Sequence, residues 1–164
     1  LTFLYLQNFN IELLFYLFII SSLITIFFID LKHQIIPDKI IYPSILVSLL
    51  YLIFNDQALL LNHFFSALGA LLFFLTLFTT TSGRGLGFGD VKLGALLGLF
   101  LGFPKIIVAI YVAFLTGAIV SFILILWKEK SLRDKIAFGP FLVLGGLVAF
   151  FLGEKMVSLW LNFL

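Results

Sequence analysis

Three aspartates set the chemical question. Asp30 closes the apolar run ITIFFID, Asp38 follows in IDLKHQIIPDKI, and Asp90 ends the glycine-rich stretch GRGLGFGD at 83–90. Carboxylates do acid–base work when two share a site: like charges a few ångströms apart in a low dielectric do not both ionise readily, so the pair holds one proton and titrates as a unit. The ionised member takes a proton from water, and the neutral member hydrogen-bonds a scissile carbonyl. Such a pair suggests an aspartyl hydrolase, which needs neither metal nor covalent nucleophile. The chain has no cysteine, so thiolate zinc sites, disulfides and cysteine nucleophiles are excluded within it. His33 and His63 lack the partners of a metal site, and no metal is expected.

Each carboxylate also has a plainer reading. Asp30 falls at the expected C-terminal end of a helix, where the macrodipole and partial burial in lipid both disfavour an anion. Its plain reading is the first residue to reach headgroup water, beside Lys32 or His33. Asp38 sits in the first turn after Pro37, where proline and an acid are ordinary helix-start chemistry, and its position favours that reading. Asp90 also begins a helix, but Gly87 and Gly89 on either side of Phe88 permit dihedrals and close backbone approach that a simple cap does not need. Lys92 lies about 200° around the helix from Asp90, so it is expected to snorkel toward headgroups rather than pair with it. The glycine stretch lacks the preceding strand and the GK[ST] ending of a phosphate loop.

The elements that must position these residues are membrane helices. Of 164 residues 63% are apolar and 11% charged, against about 45–50% and roughly 25% in soluble domains, which points to an integral membrane protein. No basic patch interleaved with aromatics suggests nucleic acid. Polar, Gly or Pro punctuation marks six helices, at about 11–30, 38–54, 58–80, 90–102, 105–127 and from near Ile136 to Gly153. The expected fold is an all-α polytopic bundle, a single domain over 1–164. The fourth helix is short and carries Gly94, Gly98 and Gly102 on one face, which lets a neighbour pack closely. The tail EKMVSLWLNFL is too short to cross and reads as an interfacial helix anchored by Trp160. With the first span ending in the cytosol, that side receives Lys32, Lys39, Arg84, Lys92, Lys128, Lys130, Arg133 and Lys135, and the other only Lys105 and Lys155. This is a positive-inside pattern, and it brings the 30–38 and 83–90 segments to the same face.

An Asp-(x)6-Pro-Asp-like segment, DLKHQIIPD, followed downstream by GFGD at 87–90, resembles type IV prepilin peptidases. IAFGPFLVLGG at 136–146 is similar to that family's last-span segment, with Ala137 where a proline is common. The resemblance implies that Asp30 and Asp90 are the catalytic aspartates and that Gly87, Phe88 and Gly89 form an active-site loop. Pro37, Asp38, Gly139 and Pro140 are candidate supporting residues, with helix-start punctuation as the default for the Gly-Pro pair. It implies cleavage of the basic leader of prepilins and pseudopilins at the cytosolic edge of the inner membrane. Many members also methylate the new N-terminus with S-adenosylmethionine and carry an upstream cytosolic segment with CxxC zinc motifs. This chain has no cysteine and about ten residues before its first span, so S-adenosylmethionine is implied only where methyl transfer is retained, and the chain fits either the catalytic portion of a longer bacterial enzyme or a short peptidase-only form. A transporter using interfacial acids and a non-catalytic assembly subunit are the rival readings; transport predicts acids in mid-span, where the centres here are rich in Leu and Phe.

Overall fold

The computed structural model describes residues 2–83, 85–127 and 137–162. The described residues form six helices in the order α1 Thr2–His33, α2 Asp38–Asn55, α3 Gln57–Thr80, α4 Phe88–Leu101, α5 Lys105–Leu126 and α6 Gly139–Asn162. All but α4 are long and apolar enough to cross a bilayer. At 14 residues α4 is about 21 Å long, short of the ~30 Å hydrocarbon layer. It compensates by being the centre of the molecule: Val91, Leu93, Leu96 and Leu97 are buried, and α4 packs against α2, α3, α5 and α6. Large side chains such as Phe28, Phe54, Leu61 and Phe122 lie on the outside, more than 60% exposed. A chain that hides its small middle helix and displays Phe and Leu is built for lipid.

Lipid tails are as apolar as leucine, so close contact must hold these helices together. Ile19, Leu23 and Ile26 form the inward stripe of α1 at i, i+4, i+7, and all are fully buried. The glycine stripe faces α3 as its spacing predicts, although only Gly94 and Gly98 lie within α4; Gly102 follows its last residue as a C-cap with φ +66°. A Cβ on Gly98 would lie 2.6 Å from the Ala67 nitrogen and 2.7 Å from the Ser66 carbonyl oxygen, so α3 and α4 meet backbone to backbone there. Gly145 plays the same part between α6 and α5, where a Cβ would lie 3.0 Å from the Ala113 nitrogen. At the end of α4, His63 Nδ1 lies 2.7 Å from the Leu99 carbonyl oxygen and Asn62 accepts from the Phe103 N–H, tying the α4–α5 turn to the start of α3.

Three boundaries differ from expectation. Helix α1 begins at Thr2 rather than near residue 11. Helix α1 continues past residue 30 to His33, so Asp30 lies in the last turn rather than at its exit. Helix α6 runs unbroken through Gly153 to Asn162, so the tail is the end of a span and not a separate interfacial helix. Gly153 is no breaker because Lys105 lies alongside it, and Lys105 Nζ then pairs with Glu154 at 2.7 Å. The expected start of that span near Ile136 lies outside the described residues, as do Arg84, Lys128, Lys130, Arg133 and Lys135, five of the charges behind the topology argument.

Candidate active site

Asp30 and Asp90 come from helices that run in opposite directions through the molecule, yet both line one pocket of about 680 Å³. They are 4% and 5% exposed, the only buried acids among the described residues, and lie close enough for their charges to interact. Asp30 is therefore not a residue simply reaching for headgroup water.

Each carboxylate is held by the start of a helix. Asp90 is the third residue of α4, and its Oδ2 accepts a 2.9 Å hydrogen bond from the Gly87 N–H in a capping arrangement. The cap reading of Asp90 is thus correct as far as it goes, and the same carboxylate also faces the pocket. Asp30 accepts from the Gly139 N–H at the start of α6. Its place near the C-terminus of α1 is electrostatically poor, and the N-terminus of α6 supplies a compensating positive end, an effect worth roughly 0.3–2 kcal/mol depending on burial. No property of the residues near Asp30 in sequence announces this partner, 109 positions away.

The approach is close enough to exclude side chains. A Cβ on Gly139 would come 3.0 Å from Asp30 Cγ, closer still to Oδ2, and 3.2 Å from Ile36 Cδ1. A Cβ on Gly89 would lie 2.8 Å from Ile36 Cβ. Ile36 is thus a buried wedge whose side chain touches the glycine beside Asp90 on one side and the glycine that holds Asp30 on the other. Sequence reasoning missed it. An apolar side chain in a polar connection, just before the proline in IIPD, was the available signal.

The remaining expected residues fall as follows. Gly89 needs its missing Cβ, whereas Gly87 has φ −81° and ψ 156°, open to any residue; the left-handed position in this loop is Gly83, with φ +69°. Phe88 is half exposed at the pocket rim and packs edge-on against Phe78. Pro37 precedes α2 with φ −74°, and Asp38 opens that helix without making a side-chain cap. Asp38 instead pairs with Lys92 at 2.5 Å, so Lys92 does not snorkel away as its sequence position suggested. Gly139 and Pro140 begin α6, with proline in the first turn where its missing N–H costs little. Ala137 and Phe138 line the pocket. Among the described residues no three His, Cys, Asp or Glu side chains gather as a metal site would require.

This architecture defines a multi-pass helical membrane protein with a paired-carboxylate pocket at one end. The type IV leader peptidase family model matches residues 17–122, well over half of the chain. The chain is 35% identical over 163 residues to the prepilin leader peptidase/N-methyltransferase of Legionella pneumophila, covering 95% of this chain and 56% of that protein. It is 32% identical to the protein of the same name from Xanthomonas campestris pv. campestris, covering 82% and 48%, and 30% identical to that of Pseudomonas aeruginosa, covering 87% and 50%. The chain belongs to the type IV leader peptidase family. It spans about half the length of these curated relatives. Among solved structures there is no significant match.

Proposed function

We propose that this chain carries out the peptidase half of the two activities in its relatives' names, cutting the leader of prepilin-type substrates with Asp30 and Asp90 as the catalytic pair. The observation that carries the reading is the convergence of two buried carboxylates, from α1 and α4, on one open pocket. Buried in the same pocket, they hold one proton between them. The ionised carboxylate takes a proton from water as the oxygen attacks the scissile carbonyl carbon, and the protonated one hydrogen-bonds the carbonyl oxygen as charge develops there. A proton then passes to the leaving amine, the C–N bond breaks, and the pair is left with its single proton. The backbone N–H groups of Gly87 and Gly139 engage one carboxylate each and so fix their orientation toward the substrate.

The site lies at one end of the bundle, with Lys39 and Lys92 lining it and Lys32 in the last turn of α1, which supports a cytosolic orientation in the inner membrane. There a substrate with a polar leader and an apolar helix meets the pocket at the membrane edge. An ion or proton pathway would need ionisable groups along its length; among the described residues both buried acids are at one end, and the other buried polar side chains are serines. The test is cleavage of a prepilin peptide by the detergent-purified protein. Asp30→Asn and Asp90→Asn should each lower kcat by about 10²–10⁴-fold with folding intact. Near-normal turnover in either variant removes that residue from the pair.

A further inference from the structure

Two segments carry the catalytic pair, and they are joined at the pocket rim by one charged contact. Lys92, two residues beyond Asp90 in α4, reaches Asp38 at the first residue of α2, eight positions after Asp30. The lysine side chain is 17% exposed, and its ammonium also lies 5.2 Å from the ring centres of both Tyr42 and Phe88. One face of the lysine's environment is thus the start of α2, and the other is the glycine loop that leads into Asp90. A surface pair with one flexible partner would be worth little. Asp38 is 55% exposed, whereas the lysine is confined between two rings and that carboxylate, so the α4 side of the pair has little freedom.

The need for such a tie follows from the chain path. The connection from α1 to α2 is only residues 34–37, and it includes Gln34 with φ +54° and the Ile36 wedge. The first turn of α4 approaches this connection through Gly89, which offers no side chain to interlock. Apolar contact at Ile36 resists compression of the two segments but does little to stop them sliding or separating. A charged contact from α4 to the start of α2 opposes that motion.

We propose that Lys92 and Asp38 are positioning residues: their contact clasps the segment bearing Asp30 to the segment bearing Asp90 and sets the spacing of the two carboxylates. This rests on the catalytic pair proposed above. Its effect is on turnover, because misplacing reacting groups by ~1 Å can cost about a hundredfold in rate without weakening substrate binding.

The experiment combines a mutant cycle with a distance measurement that does not depend on cleavage. Lys92→Met and Asp38→Asn should each lower kcat about tenfold or more with KM little changed, and the double variant should be no worse than either alone, the mark of one shared interaction. Lys92→Arg should keep most of the activity. The chain has no cysteine, so nitroxide labels on Ile35→Cys and Gly85→Cys report the distance across the pocket rim without background. That distribution should broaden in Lys92→Met and stay narrow in Lys92→Arg. An unchanged distribution in Lys92→Met, or independent losses that multiply in the double variant, overturns the clasp. If Asp30→Asn retains activity while the label distances respond to Lys92→Met, the clasp stands and the catalytic assignment falls.

Discussion

Gly139→Ala is the most exacting probe of the site, because it adds one methyl group and changes no charge. That methyl would lie 3.0 Å from Asp30 Cγ and nearer to Oδ2, where carbon contacts are normally about 3.5–4.0 Å. Ile36 Cδ1, at 3.2 Å, closes one route of escape. The carboxylate must therefore retreat by roughly 1 Å, which also lengthens its hydrogen bond from the Gly139 N–H. A displacement of that size at a reacting group costs on the order of 10²-fold in rate, or ~2.7 kcal/mol of barrier. The assay is kcat/KM on a prepilin peptide in detergent, with a thermal unfolding midpoint measured on the same preparation. Gly69→Ala on α3 is the control: its added methyl meets nothing within 4 Å, so activity should be unchanged and the helix slightly favoured. Full activity in Gly139→Ala at a normal midpoint would show that the fit between Gly139 and Asp30 has no part in catalysis.

Other outcomes follow from the same geometry. Gly98→Ala presses a methyl into the Ser66–Ala67 backbone, which cannot rotate away, and should cost about 1–3 kcal/mol of stability; an unchanged unfolding midpoint would refute the backbone contact of α3 and α4. The dependence of kcat/KM on pH should be bell-shaped, because below both steps of the pair no carboxylate can accept water's proton, and above both none can donate to the carbonyl. His33, exposed at the end of α1, takes no part, so His33→Gln should leave both limbs in place, and the loss of either limb would make that histidine essential.

Much of the fold is legible in the residues. Twenty-two phenylalanines and few charges dictate lipid as solvent, and Gly, Pro and polar breaks locate most helix ends to within a few residues, because a span must be apolar and its ends must not be; the start of α1 and the end of α6 are the exceptions. The glycine spacing of α4 also announces a close helix neighbour. The ends were harder to read. Whether a helix stops at Gly153 or Asp30 depends on what packs beside it, and Lys105 and the start of α6 lie far away in sequence.

The candidate site divides in the same way. Local sequence is enough to single out Asp30 and GFGD, since an acid at the end of an apolar run and glycines before another acid are locally costly choices. It misjudged Lys92 because a helix angle measured from Asp90 says nothing about a carboxylate on α2. It also weighed Gly87 and Gly89 alike, although only Gly89 meets Ile36.

The sequence by itself thus determined the solvent, the place of six apolar helices and the residues able to do acid–base chemistry, because composition, period and chemical type are properties of single segments. Only the tertiary structure decided that Asp30 is held by the N-terminus of α6, that Ile36 separates the two glycines, and that Lys92 meets Asp38. Those are contacts across tens of residues, and their energies depend on distances that exist only once the helices have packed.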